Sequence, residues 1–263
     1  MKSVVITGGT KGLGLEMAKV FLMRDCKVII CGSSEEGIEK AKLELSNYKT
    51  RALLLKSDVT RPEDLEALWK KGREAFGDID IWINNAGINQ PYRNISELQY
   101  ERISRIIDTN LKGMIYGSEI ALKGMLSQGK GAIYNMEGLG SDGMIQRKTA
   151  IYGTSKRALT YFTKALAKEV EGTNVIIGRL SPGMMVTDFI TKPAKGEERS
   201  AASEEDFKKV FNLLADTPET VAEFLVPKIL SNTKNDAHII WLTKGKAALR
   251  FAKGMFSKRE LIK

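Results

Sequence analysis

The residues best suited to acid–base chemistry are a tyrosine and a lysine four positions apart. Of the seven tyrosines, only Tyr152 has a lysine four residues on, at Lys156. Residues i and i+4 share one face of a helix, and an ammonium group lowers the pKa of a nearby phenol. Such a phenol can give a proton to a carbonyl oxygen while hydride reaches the carbon. The pair therefore indicates a carbonyl reductase, although a lysine-rich chain also produces such spacings by accident.

A glycine-rich segment at residues 7–14 directly follows the first apolar run. Its glycines, Gly8, Gly12 and Gly14, are spaced Gly-x3-Gly-x-Gly. Glycines allow a tight turn and let a pyrophosphate approach the N-terminus of the next helix, whose free N–H groups favour anions. A strand–helix turn without a ligand is the alternative. The position after the first strand of a strand–helix–strand unit favours a dinucleotide site.

The residues after the second predicted strand bear on which dinucleotide binds. An NAD site usually has an acid there, which holds the ribose 2′-OH. This strand instead runs into Ser33 and Ser34, and the first acid is Glu35. The two hydroxyls, together with Lys11 of the glycine segment, could bind a 2′-phosphate. We therefore expect NADP(H) rather than NAD(H); a solvated surface lysine is the alternative for Lys11.

Apolar runs of strand length alternate with amphipathic segments of helix length. Strands are predicted at 2–7, 27–31, 51–56, 79–84, 130–136, 174–180 and 237–242. Helices are predicted at 12–24, 35–46, 62–76, 97–127, 153–171, 204–214 and 218–231. Strands separated by helices imply right-handed crossovers and a parallel sheet. We expect an α/β fold: a Rossmann-like, doubly wound parallel sheet of about seven strands with helices on both faces. A single domain spans residues 1–243, and the polar stretch at about 187–206 is a substrate loop.

Composition narrows the remaining classes. The chain has 263 residues, of which 43% are hydrophobic, and no run approaches the roughly 18 apolar residues of a membrane span. Because the first strand follows Met1 almost at once, we expect a cytoplasmic protein, or a plastid protein in a mature form without its transit peptide. Cys26 and Cys31 are expected to be buried thiols. The only histidine, His238, is expected to be structural, and no metal site is expected.

The C-terminal tail, residues 244–263, accounts for much of the net charge of +9. Residues 234–263 hold eight basic and two acidic side chains, and 245–256 could form a short amphipathic helix with Leu249, Ala252 and Phe256 on one side. The tail could cover the substrate site, contact a partner subunit, lie on an anionic membrane surface as a peripheral contact, or pack on its own domain. We expect no nucleic-acid partner.

Taken together, these segments resemble the short-chain dehydrogenase/reductase family. The resemblance covers residues 1 to about 243 and rests on the glycine segment 7–14, Asp58, residues 84–87, Asn110, the pair in 152–156 and residues 182–187. It implies a nicotinamide-dependent oxidoreductase that acts on carbonyl or alcohol groups and assembles as a homo-oligomer, a dimer or a tetramer.

The resemblance also implies a role for each matching position. Tyr152 is the acid–base residue, Lys156 holds the nicotinamide ribose and tunes Tyr152, and Asn110 kinks its helix and supports a proton-relay water. Asn84 would line the adenosine ribose with its neighbours and steady the central strands. The predicted cofactor-binding set is Gly8, Thr10, Lys11, Gly12, Leu13, Gly14, Ser33, Ser34, Asp58, Val59, Asn85, Ala86, Gly87, Tyr152, Lys156, Pro182, Gly183 and Thr187.

One position departs from the family pattern. The family usually has a serine thirteen residues before the tyrosine, where it donates a hydrogen bond to the substrate carbonyl. Here that position is Leu139. Ser141 is the nearest hydroxyl, and we expect it to be the fourth catalytic residue. Glu137 or backbone N–H groups of the loop are the alternatives.

Several segments resemble one branch of the family, the chlorophyll(ide) b reductases. They are residues 81–89, 135–143, 152–156, 181–187, 211–222 and 225–228. This resemblance implies reduction of the 7-formyl group of chlorophyll b, or of its phytol-free form, to 7-hydroxymethyl, a step of chlorophyll catabolism with a tetrapyrrole substrate. Two alternatives remain: a reductase of another hydrophobic aldehyde or ketone (acyl, steroid or quinone-like), and an NADP(H)-binding regulatory protein without activity.

Overall fold

Seven parallel strands form the sheet in this computed structural model, which describes residues 1–191, 200, 204–254 and 259–262. The strands are β1 Ser3–Ile6, β2 Lys27–Gly32, β3 Ala52–Lys56, β4 Ile81–Asn84, β5 Gly131–Met136, β6 Val175–Ser181 and β7 Ala237–Ile240. Their order is β3-β2-β1-β4-β5-β6-β7. The predicted doubly wound parallel sheet is confirmed.

Helices cover both faces of the sheet. They are α1 Gly12–Met23, α2 Glu35–Glu44, α3 Pro62–Phe76, α4 Tyr100–Ile107, α5 Gly113–Gln128, α6 Ala150–Glu169, α7 Asp188–Thr191, α8 Glu205–Leu214, α9 Pro218–Ser231 and α10 Lys244–Gly254. In β1, Val4 and Ile6 pack against α1 and α9, whereas Val5 packs in the opposite core with residues of α3, α5 and α6. Both faces of the strand are therefore apolar because both are covered.

The single helix predicted over 97–127 is interrupted in the structure. A 3-10 turn at Ile95–Glu97 precedes α4, and a wide π-helical turn at Asp108–Lys112 separates α4 from α5. Asn110 lies within this turn and is fully buried. π-Turns are often found at functional sites, and this one places the Asn110 side chain where it reaches residues outside its own helix.

Among the described residues, α10 packs on this chain's own α8, so own-domain packing is the tail arrangement observed. Arg250 of α10 pairs with Asp216 at 2.7 Å, and the Trp241 indole donates to the same carboxylate at 2.6 Å. Phe256, a member of the predicted apolar side, lies outside the described residues, as do 192–199 and 201–203 of the predicted substrate loop. No helix in the described part of the chain is long and apolar enough to cross a membrane.

In a parallel sheet, ligands bind beyond the carboxyl ends of the strands, at the point where the strand order reverses. Here that point lies between β1 and β4, the first strands of the two halves of the sheet. The glycine segment follows β1, and residues 84–87 follow β4. The fold therefore directs both predicted motifs to one edge.

Candidate functional site

A cleft of about 2780 Å³ runs along this edge of the sheet. Every member of the predicted cofactor-binding set lines it, and so do Ser141 and Glu137. A drug-sized ligand occupies roughly 300–1,000 Å³, so the cleft has room for more than one small molecule. Tertiary structure thus brings together residues from seven widely separated segments of the chain.

The glycine segment is held in place by backbone shape and by hydrogen bonds to the loop after β4. Gly8 has a φ of +62°, and a Cβ there would lie 2.8 Å from the Cα of Ala86. Asn85 Nδ2 donates to the carbonyls of Thr7 and Gly8 at 3.0 and 3.1 Å. The turn is therefore pre-formed and leads directly into the N-terminus of α1, whose free N–H groups suit a pyrophosphate.

Asn84 takes only one of its two implied roles. Its side chain is buried away from the cleft, where it accepts from the Trp82 indole at 2.8 Å and donates to Ser118 and Asn135 at 3.0 and 2.8 Å. Asn84 therefore ties β4 to β5 and α5, which confirms that it steadies the central strands. The neighbouring Asn85 lines the cleft instead.

The far end of the cleft contains the residues expected to face the adenosine and its 2′-phosphate. Ser34 caps α2 by accepting from the Gly37 N–H at 3.1 Å, which leaves its own proton free to donate to an anion. Asp58 accepts from the Thr60 backbone and hydroxyl. Glu36 and Lys40, which pair with each other at 2.6 Å, also line this end and were missed by the sequence analysis.

Tyr152 lies in the first turn of α6 and is 9% exposed. Gln90 fixes this turn, because its Oε1 accepts from the N–H groups of Ile151 and Tyr152 at 2.8 and 3.2 Å. The Phe189 ring packs edge-on against the phenol at 5.8 Å between centroids. Sequence reasoning missed Gln90, since a glutamine that caps a helix from a distant segment leaves no local motif.

The pKa of Tyr152 moves in the direction opposite to the one expected. Burial raises the pKa of the phenol, and nothing in the described structure offsets that effect. The Lys156 ammonium is 5.8 Å from the ring centroid and donates to the carbonyl of Met136 at 3.0 Å rather than to the phenol oxygen. The expected lowering is therefore wrong for this arrangement. A raised pKa keeps the phenol protonated, as a proton donor requires.

Lys156 is buried beside the phenol, with 3% of its surface exposed. Burial lowers the pKa of its ammonium to about 8, while the negative charge of Glu137 acts in the opposite direction. Asn110 lies behind the pair, accepting from the Ile88 N–H at 2.7 Å and donating to its carbonyl at 2.9 Å. Asn110 therefore fixes the 87–88 backbone, and a Cβ on Gly87 would lie 4.0 Å from the Lys156 ammonium.

Gly138 faces the Tyr152 hydroxyl and lies one residue before Leu139, the position where the family usually has its serine. A Cβ built on Gly138 would lie 2.5 Å from the phenol oxygen and 3.3 Å from Cε of Lys156. The loop after β5 therefore presents bare backbone to the hydroxyl.

We expect Gly138→Ala to displace the Tyr152 hydroxyl and to lower turnover about tenfold or more, because a misplacement of about 1 Å is enough to cost that much. Gly153→Ala is the matched control: its Cβ would meet nothing closer than 4.0 Å on the same loop–helix contact. The measurement is kcat for both variants, with thermal melting to verify the fold. Equal rates in the two alanine variants would contradict this assignment.

Ser141 is buried in the same loop, but its hydroxyl is committed to the protein. It donates to the carbonyl of Lys156 at 3.2 Å and accepts from the Gly138 N–H at 3.2 Å. A hydroxyl has one proton, so in this arrangement Ser141 holds the loop against α6 and does not offer a donor to a substrate. The structure thus does not place Ser141 in the role predicted for it.

Glu137, the first alternative to Ser141, is an acceptor rather than a donor. Its oxygens accept from Thr160 at 3.0 Å, from His238 at 2.7 Å and from Ser181. Burial by itself would raise the pKa of this carboxyl, but the hydrogen bonds from His238 and Ser181 outweigh it and lower the pKa to about 2. An ionised carboxylate cannot donate to a carbonyl oxygen, so the role of a donor is wrong for Glu137.

The loop after β6 closes the nicotinamide end of the cleft. Gly183 has a φ of +74° and packs against Leu242, where a Cβ would lie 2.7 Å from the leucine Cβ. Met185 forms a parallel bridge with Asp216, and the Val186 N–H donates to the Asp216 carbonyl at 3.0 Å. The carboxylate that anchors α10 therefore also belongs to the segment that holds this loop.

These residues fit a dinucleotide. The glycine turn leaves open space at the N-terminus of α1, since a Cβ on Gly12 would meet nothing closer than 3.7 Å. The cleft continues from there to Tyr152 and Lys156 without leaving the sheet edge. In the described part of the chain, no group of three or more potential ligands could hold a metal ion, and Cys26 and Cys31 are free and buried.

Comparison with known proteins agrees with this arrangement. The family model described as short chain dehydrogenase matches residues 2–198. Among curated relatives, the chloroplastic protein named "Probable chlorophyll(ide) b reductase NYC1" of Oryza sativa subsp. japonica is 36% identical over 87% of this chain and 47% of its own length. Chlorophyll(ide) b reductase NOL of Arabidopsis thaliana, also chloroplastic, is 35% identical over 93% of this chain and 71% of its own length. The chain spans about half the length of the NYC1 relatives it matches.

The names of other relatives and solved structures point to different substrates. The 3-oxoacyl-(acyl-carrier-protein) reductase FabG of Vibrio cholerae is 34% identical over 76% of this chain and 80% of its own length. A serine dehydrogenase complexed with NADP+ superposes with a TM-score of 0.80 at 26% identity, covering 92% of this chain and 94% of the other. The family model, the relatives and the fold agree: the chain belongs to the short-chain dehydrogenase/reductase family.

Proposed function

We propose that this protein is an NADPH-dependent reductase that converts a carbonyl to an alcohol, and that its substrate is the 7-formyl group of chlorophyll(ide) b. The observation that carries the reductase assignment is the buried Tyr152 phenol beside Lys156, facing bare backbone at Gly138. The similarity to chlorophyll(ide) b reductases over most of the chain supports the substrate.

The chemistry follows from the placement of Tyr152. When bound, NADPH would supply hydride to the carbonyl carbon. Tyr152 gives its proton to the carbonyl oxygen, so that the C=O bond becomes CH–OH. The Lys156 ammonium stabilises the tyrosinate left behind, and Asn110 keeps the surrounding backbone in place. Since Ser141 and Glu137 are committed elsewhere, we assign the remaining stabilisation of the oxygen to the third alternative, backbone N–H groups of the 138–143 loop other than those of Gly138, Ser141 and Gly143, which donate within the loop.

The shape of the cleft supports a large apolar substrate. Its volume exceeds what a dinucleotide fills, and it is lined at the nicotinamide end by Phe189, Phe207, Phe211, Leu242 and Phe251. Phe251 belongs to α10, so the tail contributes to the wall of the cleft and in this sense covers the substrate site. A group of apolar and aromatic side chains at one end of a cleft suits a planar hydrophobic ligand such as a tetrapyrrole.

The cofactor proposal makes a testable prediction. We expect the wild type to bind NADPH more tightly than NADH, and Ser33→Asp to weaken NADPH binding about tenfold or more by repelling the 2′-phosphate. Binding of NADH should change little. Fluorescence titration measures both constants, and Ser46→Asp adds the same charge beyond the end of α2 as a control. Equal affinities of the wild type for the two nucleotides would contradict NADPH preference.

The decisive functional experiment is an assay of NADPH oxidation with chlorophyllide b, with the 7-hydroxymethyl product identified by chromatography. A panel of acyl, steroid and quinone-like carbonyl compounds runs beside it. Turnover of a panel compound alone would favour the second candidate, a general hydrophobic carbonyl reductase, which the similarity to a 3-oxoacyl reductase supports. No turnover of any compound by a protein that binds NADPH would favour the regulatory alternative.

The cellular setting is part of the same proposal. The two chlorophyll(ide) b reductases named above are chloroplastic, which favours the plastid alternative over the cytoplasmic one. We further propose a homo-oligomer, and a peripheral membrane contact through α10, on which Leu249 and Phe251 are about half exposed beside Lys246 and Lys253.

A further inference from the structure

A cluster of hydrogen-bonded side chains with a buried carboxylate at its centre lies next to Lys156. Its centre is Glu137, the residue after β5, which is 5% exposed. One carboxylate oxygen accepts from Thr160 of α6, and the other from Ser181 of β6 and His238 of β7. A single side chain therefore joins the end of β5 to three other elements of the fold.

The proton positions in this cluster follow from Arg179. An arginine can only donate, and its NH1 lies 3.3 Å from Nδ1 of His238, so that nitrogen accepts. The Nε2–H of His238 then donates to Glu137. In a hydrolytic triad the serine and the acid contact opposite ring nitrogens. Here Ser181 and Glu137 both contact Nε2, so the cluster is not a nucleophilic triad.

The cluster is linked to Lys156 in three ways. The ammonium donates to the carbonyl of Met136, the residue before Glu137. The Thr160 hydroxyl lies within reach of both the Glu137 carboxylate, at 3.0 Å, and the Lys156 carbonyl, at 3.1 Å. The charge of Glu137 also favours the ammonium form of Lys156 against the effect of burial.

The other groups around the ammonium carry no charge at neutral pH. They are the Tyr152 phenol, the backbone at Gly87 and the Asn110 amide. On the far side of Glu137, Arg179 lies 3.7 Å from Oε1 and pairs with Asp236 at 3.2 Å. Among the described residues, Glu137 is therefore the carboxylate whose charge reaches Lys156.

We propose that Glu137 is a positioning residue that keeps Lys156 in its ammonium form and holds residues 136–138 against the catalytic pair. The inference deepens the proposed reductase function and rests on it for its catalytic meaning. A buried ammonium is costly without a compensating charge. Glu137 supplies that charge from a buried side chain, whose oxygens are held by hydrogen bonds from Thr160, Ser181 and His238.

The test measures the ionisation of Lys156 directly. Lysine Nζ resonances of 15N-labelled protein without nucleotide are followed by NMR from pH 6 to 10, and the Lys156 signal is assigned by its loss in Lys156→Arg. We expect Glu137→Gln, which removes the charge but keeps the shape, to lower the pKa of Lys156 by on the order of one pH unit. The alkaline limb of kcat/KM should move down by a similar amount.

Two further variants separate charge from loss of structure. Arg179→Gln removes a cation beside Glu137, so the pKa of Lys156 should rise and the alkaline limb should move up. His238→Gln keeps a donor towards Glu137 and an acceptor for Arg179, so the pKa of Lys156 should stay within about 0.3 of the wild-type value. A general loosening of the fold would not shift the pKa of Lys156 in opposite directions in Glu137→Gln and Arg179→Gln.

The proposal is overturned if Lys156 titrates at the wild-type pH in a folded Glu137→Gln protein. If that variant does not fold, a downward or absent shift in Arg179→Gln overturns it instead. The NMR readout needs neither substrate nor nucleotide. The protein could reduce no carbonyl while the pKa of Lys156 still falls in Glu137→Gln and rises in Arg179→Gln. That result would refute the proposed function and leave the coupling between Glu137 and Lys156 intact.

Discussion

Tyr152→Phe is expected to lower kcat about 10²- to 10⁴-fold, the usual contribution of a positioned acid, while the Kd for NADPH stays within about twofold. The phenylalanine ring keeps the contact with Phe189 and the apolar burial, and removes only the hydroxyl that faces Gly138. Steady-state NADPH oxidation with saturating substrate measures the first quantity, and fluorescence titration measures the second.

The matched control for this variant is Tyr161→Phe. Tyr161 lies on the same helix, α6, but is 79% exposed, so loss of its hydroxyl should change neither rate nor affinity. Near-normal turnover by Tyr152→Phe would refute the acid–base role. Equal losses in both tyrosine variants would point to damage to α6 rather than to a missing proton donor.

Lys156→Met is expected to weaken NADPH binding about 10- to 100-fold, the range of a lost hydrogen bond to a charged group, and to reduce turnover as well. Methionine fills similar space but carries no ammonium. The same helix offers Lys168→Met as a control, because Lys168 is exposed and paired only with Glu171. The Kd for NADPH and kcat should both remain at the wild-type values in that control.

The prediction for Lys156 also includes the direction in which the Kd for NADPH changes with pH. Burial lowers the pKa of Lys156 to about 8, so the ammonium form is present below that pH and is lost as the pH rises through it. The Kd for NADPH of the wild type should therefore increase above about pH 8, and that of Lys156→Met should not follow the same curve. A wild-type Kd that stays constant between pH 7 and 10 would contradict a binding role for the ammonium.

Patterns that depend on neighbours in the chain were predictable. The period of apolar residues located all seven strands, because strands buried on both faces must be apolar throughout. The glycine turn after β1 was predictable because its backbone needs a conformation that glycine adopts without strain, and Gly8 has a φ of +62°. The i,i+4 spacing placed Tyr152 and Lys156 on one helix face for the same local reason.

The structure departs from the sequence predictions mainly in what surrounds Tyr152. The turn after β5 brings Gly138 to its hydroxyl, one residue before Leu139, where the family usually has its serine. Ser141 carries a hydroxyl that could donate to a substrate, but in this structure it donates its proton to the Lys156 carbonyl. Sequence distance does not fix which loop residue meets a helix, because a change of one residue in the turn redirects every side chain after it.

The sequence by itself determined the parallel sheet, the edge where the site lies and the placement of Tyr152 and Lys156 on one helix face, since these follow from local periodicity and spacing. Only the tertiary structure decided how that pair is surrounded: Gln90 on the first turn of α6, Gly138 against the phenol, and Glu137 joined to His238 and Lys156. These contacts link residues up to 101 positions apart, and their energies depend on burial and on the direction of single hydrogen bonds. Such quantities exist only once the chain is packed, because desolvation and the presence of a partner decide together whether a buried charge is stable.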